Sequence, residues 1–300
     1  MTISDLATPV APAGGLDSAP LELAPLELAQ RLTDLADLLG ATDLRPGPEV
    51  DRAFGELVGL SLAPHHGVVR AGQAAEVMRL LGPRVAEIRD LCARGETELE
   101  TCWAQRILAA ADPVAELDRF PYLGNYRALV ALELAAVRGL GEEPRTAVVV
   151  GSGPLPLTGL VLARDHGLDV TLVDRDADSL ALGDRVAAAL GVPGVTSRLA
   201  DVSGEVPGPA LAALAGADLV VHAALVGSDG LQKHRALSRV AEAMRPGAHV
   251  VVRSAAGLRE LLYAPASVDD VACLSLQLEL HPHHEVVNSA LVARRDGSAA

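Results

Sequence analysis

Aromatic residues are nearly absent: the 300 residues hold two phenylalanines, three tyrosines and one tryptophan. The core must therefore come from Leu, Val and Ala, and with half of the chain hydrophobic there is enough for a sizeable one. Lysine is rarer still: Lys233 is the only one, and the other basic residues are arginines, a bias that fits GC-rich coding and a bacterial source. The cysteines, Cys92, Cys102 and Cys273, are far apart and form no CxxC pair. That excludes a disulfide framework or a zinc site and fits buried thiols in a reducing cytoplasm. No window reaches about 18 uninterrupted apolar residues, and the opening MTISDLATPVAP has no basic segment, so neither a membrane span nor a signal peptide is expected. A formal net charge of −14 lacks the positive surplus that nucleic acid or an anionic membrane would need. The expected partner is a small molecule, for which a cation is well suited; a homodimer is left open.

One stretch, Ala147 to Thr158, organises the rest. The apolar run Ala147-Val148-Val149-Val150 ends at Gly151-Ser152-Gly153, and a helix-like segment follows. This strand, glycine turn and helix open a doubly wound α/β nucleotide-binding unit, whose ligand sits at the carboxyl end of the strand. Pro154 and Pro156 suit a first helical turn, where a missing N–H costs nothing. A third glycine is absent, and proline stands in its place. A pyrophosphate wants free N–H groups there, so a ligand without phosphates, S-adenosylmethionine (SAM), fits better than NAD.

The chain divides into three parts. Residues 1–25, with four prolines among small residues, read as a flexible tail. Residues 26–142 read as an all-helical cap: a helix from Leu26 closed by Gly40, a short one from Val50 to Leu60, a long one from Ala71 to Arg94 stopped near Gly95, another from Glu96 to Ala111, and one from Tyr122 to Leu140. Residues 143–295 alternate strands and helices. Strands are expected at 146–150, 169–173, 195–200, 217–222, 248–253, 271–280 and 286–293. The last two follow one another as an antiparallel hairpin, the layout of a Rossmann-like class I SAM-dependent transferase domain, here with an N-terminal all-helical domain.

Asp174 ends the second strand, some 20 residues after the glycine turn, where an acid takes ribose hydroxyls. Asp201, followed by Val202, ends the third, near the expected adenine; either aspartate also suits a helix cap. Arg253 ends the fifth strand and suits either a bidentate contact with a carboxylate or a surface cap. His281, His283 and His284 crowd one loop, but no metal is assigned to them or to His65-His66.

Five motifs together resemble nicotianamine synthase and its bacterial relatives. They are Gly151-Ser152-Gly153-Pro154-Leu155-Pro156-Leu157-Thr158; Phe120-Pro121-Tyr122-Leu123-Gly124-Asn125-Tyr126; Ala223-Ala224-Leu225-Val226-Gly227; Met244 to Ala248 running on to Arg253-Ser254-Ala255-Ala256-Gly257; and His281-Pro282 with Glu285-Val286-Val287-Asn288-Ser289. The resemblance covers about Glu87 to Arg294. It implies transfer of the 3-amino-3-carboxypropyl group of SAM to an amine, with release of methylthioadenosine. Gly151, Ser152, Gly153 and Pro154 would hold the ligand together with Asp174, Asp201 and Val202. Ala223, Ala224, Leu225 and Arg253 complete that set.

The family also implies an active-site glutamate in Gly95 to Trp103, Glu100 before Glu96, with Tyr122 and Tyr126. On a helix Glu96 and Glu100 share a face while Glu98 points away. Displacement at carbon needs a neutral amine and a group to take its proton. The chain departs from the plant pattern at Leu123, Ala256 and His283-His284, in motifs bordering the acceptor side. These departures bear on the full multi-step nicotianamine reaction and leave SAM binding untouched; the resemblance implies a nicotianamine-like product or an opine-metallophore precursor. Intramolecular closure of SAM to azetidine-2-carboxylate, ordinary methyl transfer and non-catalytic SAM binding are the alternatives.

Overall fold

A computed structural model describes residues 23–62, 72–227, 230–282 and 286–297. Nearly all of the proline-rich start lies outside the described residues, as do His65-His66 and His283-His284.

Among the described residues, every element before Thr146 is helical: α1 (Pro25–Gly40), α2 (Pro48–Leu62), α3 (Gln73–Leu81), α4 (Arg84–Ala109), α5 (Pro113–Leu117) and α6 (Leu123–Gly139). One expectation here is corrected. Gly95 does not stop a helix; the break comes at Gly82-Pro83, where Gly82 takes φ 51°. Proline is tolerated in a first helical turn, so α4 restarts at once and runs for 26 residues through Gly95. Gly95 is instead a point of close approach, since a Cβ there would collide with the Phe54 ring of α2. The continuous helix keeps Glu96 and Glu100 one turn apart on the same rod. The short α5 was not foreseen; Asp112 caps it by accepting from the Ala115 amide at 3.0 Å.

From Thr146 the chain alternates β1 (Thr146–Val150), α7 (Leu157–His166), β2 (Asp169–Asp174), α8 (Ala177–Ala189), β3 (Val195–Leu199), α9 (Gly208–Gly216), β4 (Leu219–His222), α10 (Gly230–Ala243) and β5 (His249–Ser254). β6 (Ser275–Leu280) and β7 (Ser289–Arg294) close it. The sheet order is β3-β2-β1-β4-β5-β7-β6, parallel except for β7, which pairs antiparallel with β5 and β6. The two closing strands are shorter than expected at their starts. Val268–Val271 is a 3₁₀ turn, in which Asp270 accepts from Ser267, and residues 286–288 run outside the sheet.

The central strands read as continuous apolar runs because helices cover both faces. α4, α5 and α6 join α7 and α8 on one face through Trp103, Ile107, Phe120 and Val130, and α9 and α10 cover the other. A separate cluster binds α1 to α4 together with Leu258, Leu261 and Leu262, which arrive from beyond β5. The packing therefore does not part at residue 142. The middle of α4, around Glu96 and Glu100, lies over the carboxyl ends of the parallel strands, where β1 and β4 align Val150 with His222.

Candidate active site

At the end of β1 the chain turns through Gly151 at φ 81° and Gly153 at φ 66°, values that disfavour any side chain. Contacts add a second reason: a Cβ on Gly151 would strike Val226, and one on Gly153 would come 2.7 Å from Glu100 Oε2. The turn is pinned to β2, since Gly151 N–H donates to the Val173 carbonyl at 2.8 Å and Gly153 N–H to Asp174 Oδ2 at 2.8 Å. The other Asp174 oxygen accepts from Asp176 N–H at 3.0 Å, and Asp176, not Asp174, caps α8. Ser152, Pro154, Asp201, Val202 and Ala223 to Leu225 join these residues around a cavity of about 380 Å³. All eleven residues expected to hold the ligand line that one space. Ser152 Oγ is buried there without a hydrogen-bond partner, and ligand oxygens or nitrogens would supply one.

α4 brings the acids to the same cavity. Tyr126 Oη lies 3.3 Å from Glu96 Oε1 and 3.3 Å from Glu100 Oε1, and Tyr263 O–H donates to Glu96 Oε2 at 3.1 Å. The Leu155 amide, from the glycine turn, also donates to Glu100. Burial raises the Glu96 carboxyl above the ordinary range, against the two tyrosine bonds. Burial and then the Glu96 charge push Glu100 well above it. A tyrosine hydroxyl has one hydrogen and cannot serve two carboxylates at once. Once either glutamate is protonated, its O–H can donate to the Tyr126 oxygen while Tyr126 donates to the other.

A second chamber, of about 1020 Å³, adjoins the first under α2, α4 and α6. Its wall carries Phe54, Trp103, Phe120, Tyr122, Tyr126 and Tyr263, every aromatic residue of the chain. Trp103 and Phe120 meet edge to face at 5.4 Å, and Phe120 and Tyr122 at 5.9 Å. Tyr122 stands on this wall only, away from the glycine turn. Glu96, Glu100, Tyr126, Tyr263 and Asn288 belong to both chambers and form their junction.

Arg253 lines the first cavity, but its carboxylate partner is internal. Its Nε and Nη2 donate to the two oxygens of buried Glu133 at 2.8 and 3.0 Å, and Nη1 to Thr158 Oγ1 at 2.8 Å. Only 4% of Arg253 is exposed, so the surface cap is overturned. Among the described histidines of the crowded loop, His281 shares a hydrogen bond with Ser289 Oγ at 3.1 Å.

Sequence reasoning missed Tyr263, Asn288 as a site residue, and Lys233. The scarcity that singled out two tyrosines pointed equally to the third, but Tyr263 stands far along the chain from α4. Lys233 is wholly buried in α10, and its ammonium donates to the carbonyls of Ala224 at 3.3 Å, Arg253 at 3.5 Å and Ala264 at 3.1 Å. The only lysine thus ties the ends of β4 and β5 to the segment after them.

The family model described as nicotianamine synthase protein matches residues 25–300. Nicotianamine synthase 9 of Hordeum vulgare is 35% identical over 282 residues, covering 89% of this chain and 78% of the relative. Nicotianamine synthase 3 of Oryza sativa subsp. indica is 34% identical over 289 residues, covering 91% and 80%. Crystal structures of MtNAS superpose with TM-scores of 0.74 and 0.75 at 23% identity, covering 90% of this chain and 98% and 97% of theirs. One is a glutamate-to-glutamine variant holding S-adenosylmethionine, the other a complex with MTA and tNA.

Proposed function

The chain belongs to the nicotianamine synthase family, a family of SAM-dependent aminocarboxypropyltransferases, and from that premise we propose that it moves the 3-amino-3-carboxypropyl group of SAM onto the nitrogen of an acceptor amine. The observation that carries this reading is the junction: a small cavity over the glycine turn and a large aromatic chamber share Glu96, Glu100 and Tyr126. The small cavity suits the nucleoside, with Asp174 against the ribose and Asp201 near the adenine. The large one suits the acceptor. A methyl transferase needs no acid pair at the junction, and a SAM sensor needs no second chamber.

The chemistry follows from these groups. The acceptor nitrogen attacks the methylene carbon bonded to sulfur, the carbon–sulfur bond breaks, and its electron pair neutralises the sulfonium as methylthioadenosine leaves. The new bond leaves a proton too many on nitrogen, and Glu100 takes it. A carboxyl raised by burial lies closer in basicity to such an amine than an exposed one does. A bound sulfonium or ammonium lowers that carboxyl again, so ligand charge itself readies the base. Glu96 and Tyr126 give the proton a place to be shared. The helical residues 26–142 act as a cap that keeps water from the junction, and residues 143–295 hold SAM.

The test is incubation of the protein with SAM alone, then with histidine and other amines, reading products by mass spectrometry. Methylthioadenosine with an adduct supports the proposal, whether the adduct is nicotianamine-like or an opine-metallophore precursor. Methylthioadenosine with azetidine-2-carboxylate from SAM alone turns the reading to intramolecular closure. S-adenosylhomocysteine overturns it.

A further inference from the structure

The junction has an unused donor. Asn288, the fourth residue of the Glu-Val-Val-Asn-Ser motif, stands just before β7, only 7% of it is exposed, and its Nδ2 is buried without a hydrogen-bond partner. A buried amide nitrogen left alone is costly, and native structures seldom keep one without reason. The other four residues common to both chambers are two carboxylates and two tyrosines directed at those carboxylates. Among the described junction residues, Asn288 is therefore the one with a hydrogen-bond donor to offer a ligand. Arg253 adds positive charge on the wall of the nucleoside cavity, with its guanidinium held by Glu133 and Thr158.

The end of SAM that must reach this junction carries two opposite charges on one carbon, an ammonium and a carboxylate. Glu96 and Glu100 suit the ammonium and repel the carboxylate. We propose that Asn288 Nδ2 donates to the carboxylate of the 3-amino-3-carboxypropyl group, holding it away from the glutamates so that the methylene beside sulfur faces the large chamber. This rests on the reading of the small cavity as a SAM site. It makes Asn288 a residue that separates SAM from its own product, because methylthioadenosine has lost that carboxylate.

The difference supplies the test. Calorimetry would compare SAM, decarboxylated SAM and methylthioadenosine on the wild-type chain, Asn288→Ala and Asn288→Asp, with thermal melting to confirm folding. Losing a hydrogen bond to a charged group should weaken SAM about tenfold to about a hundredfold in Asn288→Ala. Asn288→Asp, which adds like charge, should weaken it at least as much. Methylthioadenosine and decarboxylated SAM should change less than about twofold. An equal loss for all three ligands would make Asn288 a structural residue and overturn the assignment, as would unchanged SAM affinity in both variants. If the wild-type chain binds none of the three, the reading of the cavity itself fails, a result distinct from either of these.

Discussion

The two chambers that meet at Glu100 are built by different means. The smaller cavity is made largely of backbone: two glycines with positive φ, amides pinned by Asp174, and the ends of five adjacent strands. The larger chamber is made of side chains, six aromatics and their aliphatic neighbours drawn from α2, α4, α6 with the turn before it, and the segment after β5. A site made of backbone depends on local sequence and tolerates little change. A site made of side chains from distant elements can change its occupant by single substitutions. Leu123 and Ala256, expected from their motifs to border the acceptor side, do not line this chamber, and Leu123 is packed in the core instead.

If the junction is where the chambers cooperate, breaking it should produce the largest effect. Glu100→Gln keeps the shape and removes the basicity, so single-turnover rates should fall roughly 10²–10⁴-fold while SAM still binds. Near-normal rates in Glu100→Gln with slow Glu96→Gln would move the base one helical turn along α4; normal rates in both would take it off this helix. Next comes the wall of the smaller cavity. Glu133→Ala leaves Arg253 as a buried charge without its partner and should cost about 3–5 kcal/mol of folding stability, read by denaturant titration. A change below 1 kcal/mol would mean that the pair behaves as an exposed one.

The backbone-built cavity should answer more evenly. Asp174→Ala removes the acceptor of the Gly153 amide, so SAM and methylthioadenosine should weaken together, by about 1.5–3 kcal/mol for each charge-assisted hydrogen bond lost. A loss confined to SAM would place Asp174 at the amino acid end instead. The smallest effect concerns a buried histidine that lines neither chamber. His222, wholly buried at the end of β4 beside Lys233, has its pKa lowered to about 3, by burial first and then by the Lys233 charge. The folded chain keeps this imidazole neutral while the unfolded chain takes up a proton near pH 6.5. Its contribution is therefore intact above about pH 6.5 and is lost as pH falls towards 3, about 2 kcal/mol of it by pH 5. Melting curves of His222→Leu across that window should show a shallower acid limb, and an unchanged limb would exonerate His222.

Much of this protein was written locally. The run Val148 to Val150, Gly151 and Gly153, and Asp174 at a strand end each follow from short-range rules, because a tight turn needs glycine and a parallel strand buried on both faces needs a continuous apolar run. The pairing of Glu96 with Glu100 followed from helical periodicity, even though the helix carrying them was expected to start only after Gly95. What short-range rules left open was distance across the fold. Tyr263 reaches Glu96 over 167 residues, Arg253 reaches Glu133 over 120, and Phe54 decides that Gly95 is a contact and not a stop. By itself, the sequence determined the doubly wound sheet, the glycine cradle and the acids on α4, since each is an interaction between near neighbours. Only the tertiary structure decided that all six aromatics face one chamber, that the lone lysine is a buried tie, and that Asn288 stands unpartnered at the junction. Those depend on which surfaces of distant helices and strands are pressed together, and no local pattern encodes that.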